Sequence, residues 1–316
     1  MAISIPWLNK KSISSGRIGI TVGPDGLSVA HVDKNKKLTF CRLYDQLGDN
    51  NQLLSDLVAE HDWNGVLCSV VLHPVYYQLL LTECPPVEDD ELSSAVRWKI
   101  KELLDFPIET AAIESFILPD DAYRGRQKML YAAALRQSTL QELVSPIEAA
   151  GFAVDCIEVS ELALHNLTSR MPLDRGCTAI VQFHAGEGFI NLTESGEIYL
   201  SRRLDIGLDK FKPGSDNTAF FDTLFLEIQR SLDFYESQLG KGIVTHLYYS
   251  PGLVSTETIG NFLSSQLAVT VEPLSFLNLD LSSDIPLDSD QVVRCAIAIG
   301  AALQPKKALE VANATH

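Results

Sequence analysis

The sequence predicts a two-lobed α/β fold, and three observations predict it: a strand–turn–strand unit is used twice, the chain is long enough for two cores, and a segment of different character interrupts the first half. The first unit covers Gly16–Tyr44. Ile18–Val22 leads to the turn Gly23-Pro-Asp-Gly26, Leu27–Val32 returns, Asp33–Lys37 turns again and Leu38–Leu43 closes. The second covers Cys177–Gly207, where Ala179, Val181 and Phe183 alternate and Ala185–Gly188 turns. Phe189–Thr193 and Glu197–Arg203 then flank the tight turn Ser195-Gly196. Thr21 and Gln182 hold equivalent places in the two units, about half a chain apart.

At 316 residues the chain has room for about two domains of roughly 150 residues, and its 46% hydrophobic content can fill two cores. A net charge of −16 argues against nucleic acid, whose phosphates need a basic surface. The six cysteines, Cys41, Cys68, Cys84, Cys156, Cys177 and Cys295, show no C-x-x-C spacing and read as free thiols in a reducing cytoplasm. No apolar run reaches the roughly 20 residues a bilayer demands: His73-Pro74 breaks Val66–Leu81, and Val292–Leu303 is short and carries Arg294. In Met1–Ser15 the basic pair Lys10-Lys11 follows the apolar part, which is not the order of a signal peptide. The stretch reads as a flexible leader, with a membrane-surface contact through Ile3, Ile5, Pro6, Trp7 and Leu8 as the alternative.

In chain order, Asn50–His61 reads as a helix with Leu53, Leu54, Leu57 and Val58 on one face and Asp49 or Asn50 as its cap. Gly65–Leu72, with three valines, reads as a strand buried on both faces. Tyr76–Thr82 is a further strand, and Pro85-Pro86 marks a boundary. Asp89-Asp90 then open a helix with Leu92, Val96, Ile100, Leu103 and Leu104 at helical spacing, stopped by Phe106-Pro107. Ala112–Leu118 and Met129–Leu135 are strands around the charged turn Asp120–Gln127. Ser138 with Gln141 makes a capping box for the helix Thr139–Ala150, and Gly151 fits its C′ position. Phe152–Ile157 closes an insert over 87–157 that can form an α/β layer by itself.

In the second half, Asp216 or Asn217 caps a helix running to Gly240, about 30 Å long. Phe220, Phe221, Leu224, Phe225, Ile228, Leu232 and Tyr235 form its core stripe. A strand over Ile243–Tyr249, a helix over Val254–Leu267, a strand near Val269–Glu272, a polar loop over Asn278–Asp290 and a helix over Gln291–Leu303 complete the chain, ahead of a loose tail.

Motifs for familiar chemistry are lacking. There is no G-x-x-x-x-G-K-[ST], Gly186-x-Gly188 has no third glycine, no G-x-S-x-G presents a nucleophile, and the seven histidines form no metal-ligand spacing. Lys241, between Gly240 and Gly242, is a helix end.

Two strand–turn–strand units with glycine at the turn are how the actin-like, ribonuclease-H-like superfamily builds two facing phosphate loops. The predicted fold class is therefore actin-like α/β with an inserted subdomain: a leader over 1–15, a first half over 16–175 carrying the insert 87–157, a second half over 176–304, and a tail over 305–316. Ala95–Ile108, Leu130–Arg136, Glu148–Phe152 and Val159–Ala163 resemble the inserted subdomain of the PilM-like proteins of type IV pilus assembly, actin-like relatives of the cell-division protein FtsA. Leu226-Glu-Ile-Gln-Arg-Ser-Leu-Asp-Phe-Tyr235 is close to that family's "EI-x-R-S-L-x-F-Y" helix. The resemblance covers roughly residues 16–304, and the short leader and degenerate loops are most similar to the PilM-like component of MSHA-type pilus biogenesis.

The resemblance implies a mechanism and a partner. In active relatives each phosphate hairpin opens with an acidic residue that positions Mg²⁺ or its water. Here Thr21 and Gln182 stand at those places, and a neutral side chain does not offset the desolvation of a dication. The expectation is a degenerate ATPase fold that is not an enzyme and requires no cofactor. Binding of ATP, with or without magnesium, stays open through turn amides at Gly23, Asp25-Gly26 and Gly186–Gly188, against the negative charge of Asp25 and Glu187. Gly252 remains of a glycine pair that lets backbone approach the nucleotide. Glu227 and Arg230 lie off the aromatic stripe; by resemblance they face adenine or ribose, and surface charge explains them equally well. The family's partner is a PilN-like inner-membrane protein, which inserts an extended peptide between the first subdomain and its insert. The resemblance puts that groove near Arg97, Trp98, Lys101 and Tyr76–Thr82, with ordinary packing as the alternative for Trp98. The expected function is a cytoplasmic scaffold on the inner-membrane face. An ATPase or small-molecule kinase, and a self-associating filament protein, are the rivals.

Overall fold

Each strand–turn–strand unit builds its own sheet. The computed structural model describes residues 13–24, 26–44, 50–123, 128–170, 176–250, 254–278, 281–287 and 290–304; the leader 1–12, Asp25, Asp49, Gly252 and the tail 305–316 lie outside them. The first half comprises β1 (Ile13–Gly23), β2 (Gly26–Asp33), β3 (Lys37–Tyr44), α1 (Asn50–His61), β4 (Val66–Leu72), β5 (Gln78–Glu83), α2 (Asp89–Ile100), β6 (Ala111–Ile117), β7 (Met129–Arg136), α3 (Gln137–Ala149), β8 (Ala153–Val159) and α4 (Ser160–Thr168). The second comprises β9 (Thr178–Phe183), β10 (Gly188–Glu194), β11 (Glu197–Leu204), α5 (Thr218–Asp233), β12 (His246–Tyr249), α6 (Val254–Gln266), β13 (Thr270–Pro273), β14 (Ser282–Ser283), α7 (Asp290–Arg294) and α8 (Ala296–Ala302).

The sheets run β14-β3-β2-β1-β4-β8 and β11-β10-β9-β12-β13, with a third, β5-β7-β6, between them in sequence. In each large sheet an antiparallel meander joins parallel strands, β1 to β4 and β9 to β12. The meander of the second turns at Ser195 and Gly196, whose φ values of 52° and 79° are those a two-residue hairpin requires. Arg17 crosses the first sheet, donating to Ser69 on β4 at 2.7 Å and to both carboxylate oxygens of Asp155 on β8 at 2.8 and 2.7 Å.

Two helices, of which α8 is rich in small residues, hold the lobes together. α4 and α8 share one core with residues of both large sheets, including Val71, Ile180 and Phe189. A Cβ on Gly19 of β1 would lie 1.9 Å from the Ala298 carbonyl oxygen, and one on Gly300 would lie 2.0 Å from that of Ala163. Only glycine at both places lets α8 sit this deep.

The structure moves the boundaries of the insert. β5, which precedes the diproline, pairs antiparallel with β7, whereas β8 pairs in parallel with β4. α3 buries Leu140, Val144 and Ile147 in the core that holds Leu54 and Leu57 of α1. The inserted sheet thus starts before residue 87 and ends at Arg136, since alternation of helix and strand reads alike whichever sheet receives the strand. Further differences are local. The residue before α3 is Arg136 and caps it with no side chain, so the box of Ser138 and Gln141 does not form. α2 stops at Ile100 and passes into a 3₁₀ turn. Ile243 is 75% exposed ahead of β12, and the last helix breaks at Cys295. Among the described residues, no helix is long and apolar enough to cross a membrane.

Candidate functional site

The turns of the two hairpins face each other across a cavity of about 400 Å³, a volume in the range of small-molecule sites. Thr21, Gly23 and Gly26 line one wall, Gln182 and Ala185 the other, and Ser160 at the start of α4 lies between them. Asp209 and Arg294 also line the cavity, but the side chains at the equivalent hairpin places, Thr21 and Gln182, are neutral, and each polar one named here is bonded within the protein. The Thr21 and Ser28 hydroxyls bond to each other across β1 and β2, and the Ser160 hydroxyl donates to the Leu72 carbonyl at 2.8 Å. Gln182, 9% exposed, donates its amide to the Phe183 carbonyl at 3.2 Å, while its Oε1 is buried with no hydrogen-bond partner among the described residues. A buried carbonyl oxygen lacks a donor, and an ionised phosphate supplies none.

Both loops are also crowded. A Cβ on Gly23 would touch the His73 ring at 2.8 Å, and the His73 and His184 rings meet edge-on from opposite lobes with centroids 4.4 Å apart. The Leu208 and Asp209 N–H groups donate to the His184 and Ala185 carbonyls at 3.0 and 2.8 Å. Gly207 packs on this turn so closely that a Cβ there would lie 2.4 Å from the Glu187 nitrogen. Glu187 itself is 5% exposed and pairs with Arg203; it does not line the cavity, although its carboxylate lies 3.9 Å from His73 Nδ1. Gly186 and Gly188 are likewise absent from the described wall. Glu227 and Arg230 do not line this cavity: on α5 they bond to each other at 2.9 Å, and Glu227 takes Arg202 at 2.8 Å. Asp25 and Gly252 fall outside the described residues. Among those described, no group of three or more His, Cys, Asp or Glu is arranged to hold a metal ion.

A second concavity lies where the insert meets the second lobe. β5 and β11 are each the end strand of their sheets, and residues of both line a pocket of about 230 Å³ together with Tyr77, Glu161 and Phe189. The insert is pinned here. The Ser201 N–H donates to the Tyr131 hydroxyl at 3.0 Å, and that hydroxyl donates to the Ser201 carbonyl at 2.8 Å. Nearby, Asp121 accepts from Tyr199 at 3.0 Å and pairs with Lys241, whose hydrogen bond holds its carboxyl below the usual range. Glu161 bonds to the Tyr77 hydroxyl, and burial pushes its carboxyl up to about 7.

Of the residues expected to meet a partner, the strand reaches this pocket and the helix does not. Arg97 spends its guanidinium on the carbonyls of Ala111, at 3.1 Å, and Ile108. Trp98 is 74% exposed, with the Lys101 ammonium 5.4 Å from its ring centroid. Tyr77 lies in the expected strand, whereas sequence reasoning missed Glu161 and Arg203. A carboxylate that begins an apolar helix, as Glu161 does in Val159-Ser-Glu-Leu-Ala163, was the available signal.

No protein-family pattern matches the chain, and no curated protein matches it in sequence. Among solved structures it is similar to a PilM–PilN type IV pilus biogenesis complex, with a TM-score of 0.74 at 18% identity over 93% of this chain and 100% of that one. It is similar to the cytoplasmic domain of EpsL, an inner-membrane component of the type II secretion system of Vibrio cholerae, with a TM-score of 0.54 at 11% identity over 92% and 96% of the two chains. A Bacteroides thetaiotaomicron protein with an actin-like ATPase fold gives a TM-score of 0.52 at 12% identity over 83% and 91%. These likenesses are of fold, and the fold is actin-like.

Proposed function

We propose that this chain is a cytoplasmic scaffold of type IV pilus biogenesis, of the MSHA type, peripheral to the inner membrane through its partner. Its principal ligand is an extended segment from the cytoplasmic flank of a PilN-like inner-membrane protein. The observation that carries this reading is a contrast between the two concavities. In the cleft, the places that would hold magnesium are Thr21, bonded to Ser28, and Gln182, both neutral, so metal-assisted phosphoryl transfer lacks a carboxylate at either place. At the insert, two sheet edges border a pocket, and an extended segment gains main-chain hydrogen bonds along such an edge while alternate side chains enter pockets.

The reading is tested by titrating the purified chain with the cytoplasmic N-terminal peptide of the PilN-like partner, labelled at its C-terminus, and following fluorescence anisotropy. Binding in the micromolar range, about −8 kcal/mol, is expected. The absence of binding at low salt with peptide up to about 1 mM, near −4 kcal/mol, overturns it. In parallel, phosphate release from Mg·ATP should match buffer; turnover abolished by changing Ser160 or Gln182 would favour the alternative, an actin-like ATPase that regulates assembly.

A further inference from the structure

The pocket between β5 and β11 is rich in acceptors. Gln78 Oε1 is buried and has no hydrogen-bond partner among the described residues. Glu161, 5% exposed, lines the same pocket, and its carboxyl accepts from the Tyr77 hydroxyl on the same wall. Arg203, the cation on its wall, is engaged by Glu187 and, at 3.6 Å, by Asp205. Pro74, Leu79, Leu80 and Phe189 supply apolar surface, and the Tyr77 and Ser201 hydroxyls that complete the lining are bonded to Glu161 and Asn191. Buried acceptors of this kind call for a donor.

We propose that the pocket receives an ammonium group of the partner's segment, held between the Glu161 carboxylate and Gln78 Oε1, which deepens the scaffold reading above and rests on it. An ammonium carries three donors and no acceptor, so it satisfies both oxygens at once. Its aliphatic stem lies against Leu79, Leu80 and Phe189, the division of labour that long cationic side chains favour. An acidic side chain would meet Glu161 with like charge. Burial has already raised the Glu161 carboxyl to about 7, and a bound cation reverses that cost by stabilising the ionised form. The chain's net charge of −16 adds a long-range attraction for a basic segment. The ammonium comes from a lysine side chain or from the segment's own N-terminus, and the chemistry of the pocket is the same for both.

Calorimetric titration of the full chain with the partner peptide separates these sources. The peptide is used unmodified, acetylated at its N-terminus, and with each lysine in turn replaced by norleucine. It is titrated into wild type, Glu161→Gln and Gln78→Leu, each checked for an unchanged melting curve. One modification should weaken binding to wild type by about tenfold or more, and the same modification should cost Glu161→Gln less than about twofold, the non-additivity of groups in contact. Gln78→Leu should show a reduced penalty in the same direction, and it carries the test if Glu161→Gln does not fold. Peptide that binds wild type equally well in every form leaves the scaffold reading standing and overturns the ammonium site. A penalty that is identical in wild type and variants places the cation elsewhere and also overturns it. A peptide that fails to bind in any form overturns both.

Discussion

Glu161 is the residue on which pH should act most visibly. Burial raises its carboxyl from the ordinary 4.5 to about 7, and Glu158, beside Asn166, is raised to about 7 as well, chiefly by burial. The unfolded chain releases these protons near pH 4.5 and the folded chain near pH 7. Between those values the folded state holds more protons, so its stability is full below about 4.5, falls as pH rises, and levels off above about 7. A shift of this size corresponds to about 3 kcal/mol for one group. Glu161→Gln should therefore remove its share of the fall in melting temperature between pH 5 and pH 8. Thermal melts in which variant and wild type fall in parallel would refute this. At the residue scale, the neutral places in the cleft were legible because the hairpin repeat fixes where Thr21 and Gln182 stand. The direction of Glu187 was not, since a side chain beside a turn faces the cleft or Arg203 according to packing that no local pattern encodes. The partners of Glu227 and Arg230 were hidden for a similar reason: helical spacing shows that they leave the core stripe, and only the neighbouring strand brings Arg202 to Glu227, which also pairs with Arg230.

Among elements, β7 carries the junction between insert and second lobe. Its Tyr131 hydroxyl satisfies both backbone groups of Ser201, and all three groups are buried. Tyr131→Phe strands them, at a cost of about 1–3 kcal/mol, and should lower the urea midpoint accordingly with an unchanged slope. An unchanged midpoint would mean that Tyr131 is not what pins the insert. Element identity was largely readable. α1 falls on the predicted residues because four apolar side chains recur on one face, and β4 because an unbroken apolar run bounded by turn signals has few other homes. What periodicity does not encode is which sheet a strand joins, and so β5 and β8 exchanged allegiance with respect to the predicted insert. The break in the last helix escaped notice because Val292–Leu303 reads as one apolar run interrupted only by Arg294, and Cys295 gives no local stop signal.

For the whole molecule, charge and shape make separate predictions. With a net charge of −16, association with a basic segment should slow as salt rises and the screening length contracts from about 10 Å at 0.1 M. Dissociation, set by the filled pocket, should hardly change; stopped-flow measurements at several ionic strengths separate the two, and an off-rate that carries the salt dependence would contradict this division. The seating of α8 on Gly19 and Gly300 binds the lobes into one body, so Gly300→Ala should cost stability by overpacking, about 1–3 kcal/mol, measurable by calorimetry. The two end strands beside the pocket have a further consequence for the cell. A sheet edge left unpaired is a template for other chains, so if the proposed segment lies along these strands, copies made in excess of it are the ones most exposed to aggregation and clearance. Supplying the partner's segment by co-expression should raise the soluble yield, and through that protection the abundance of one protein would follow the dosage of the other without any dedicated regulator.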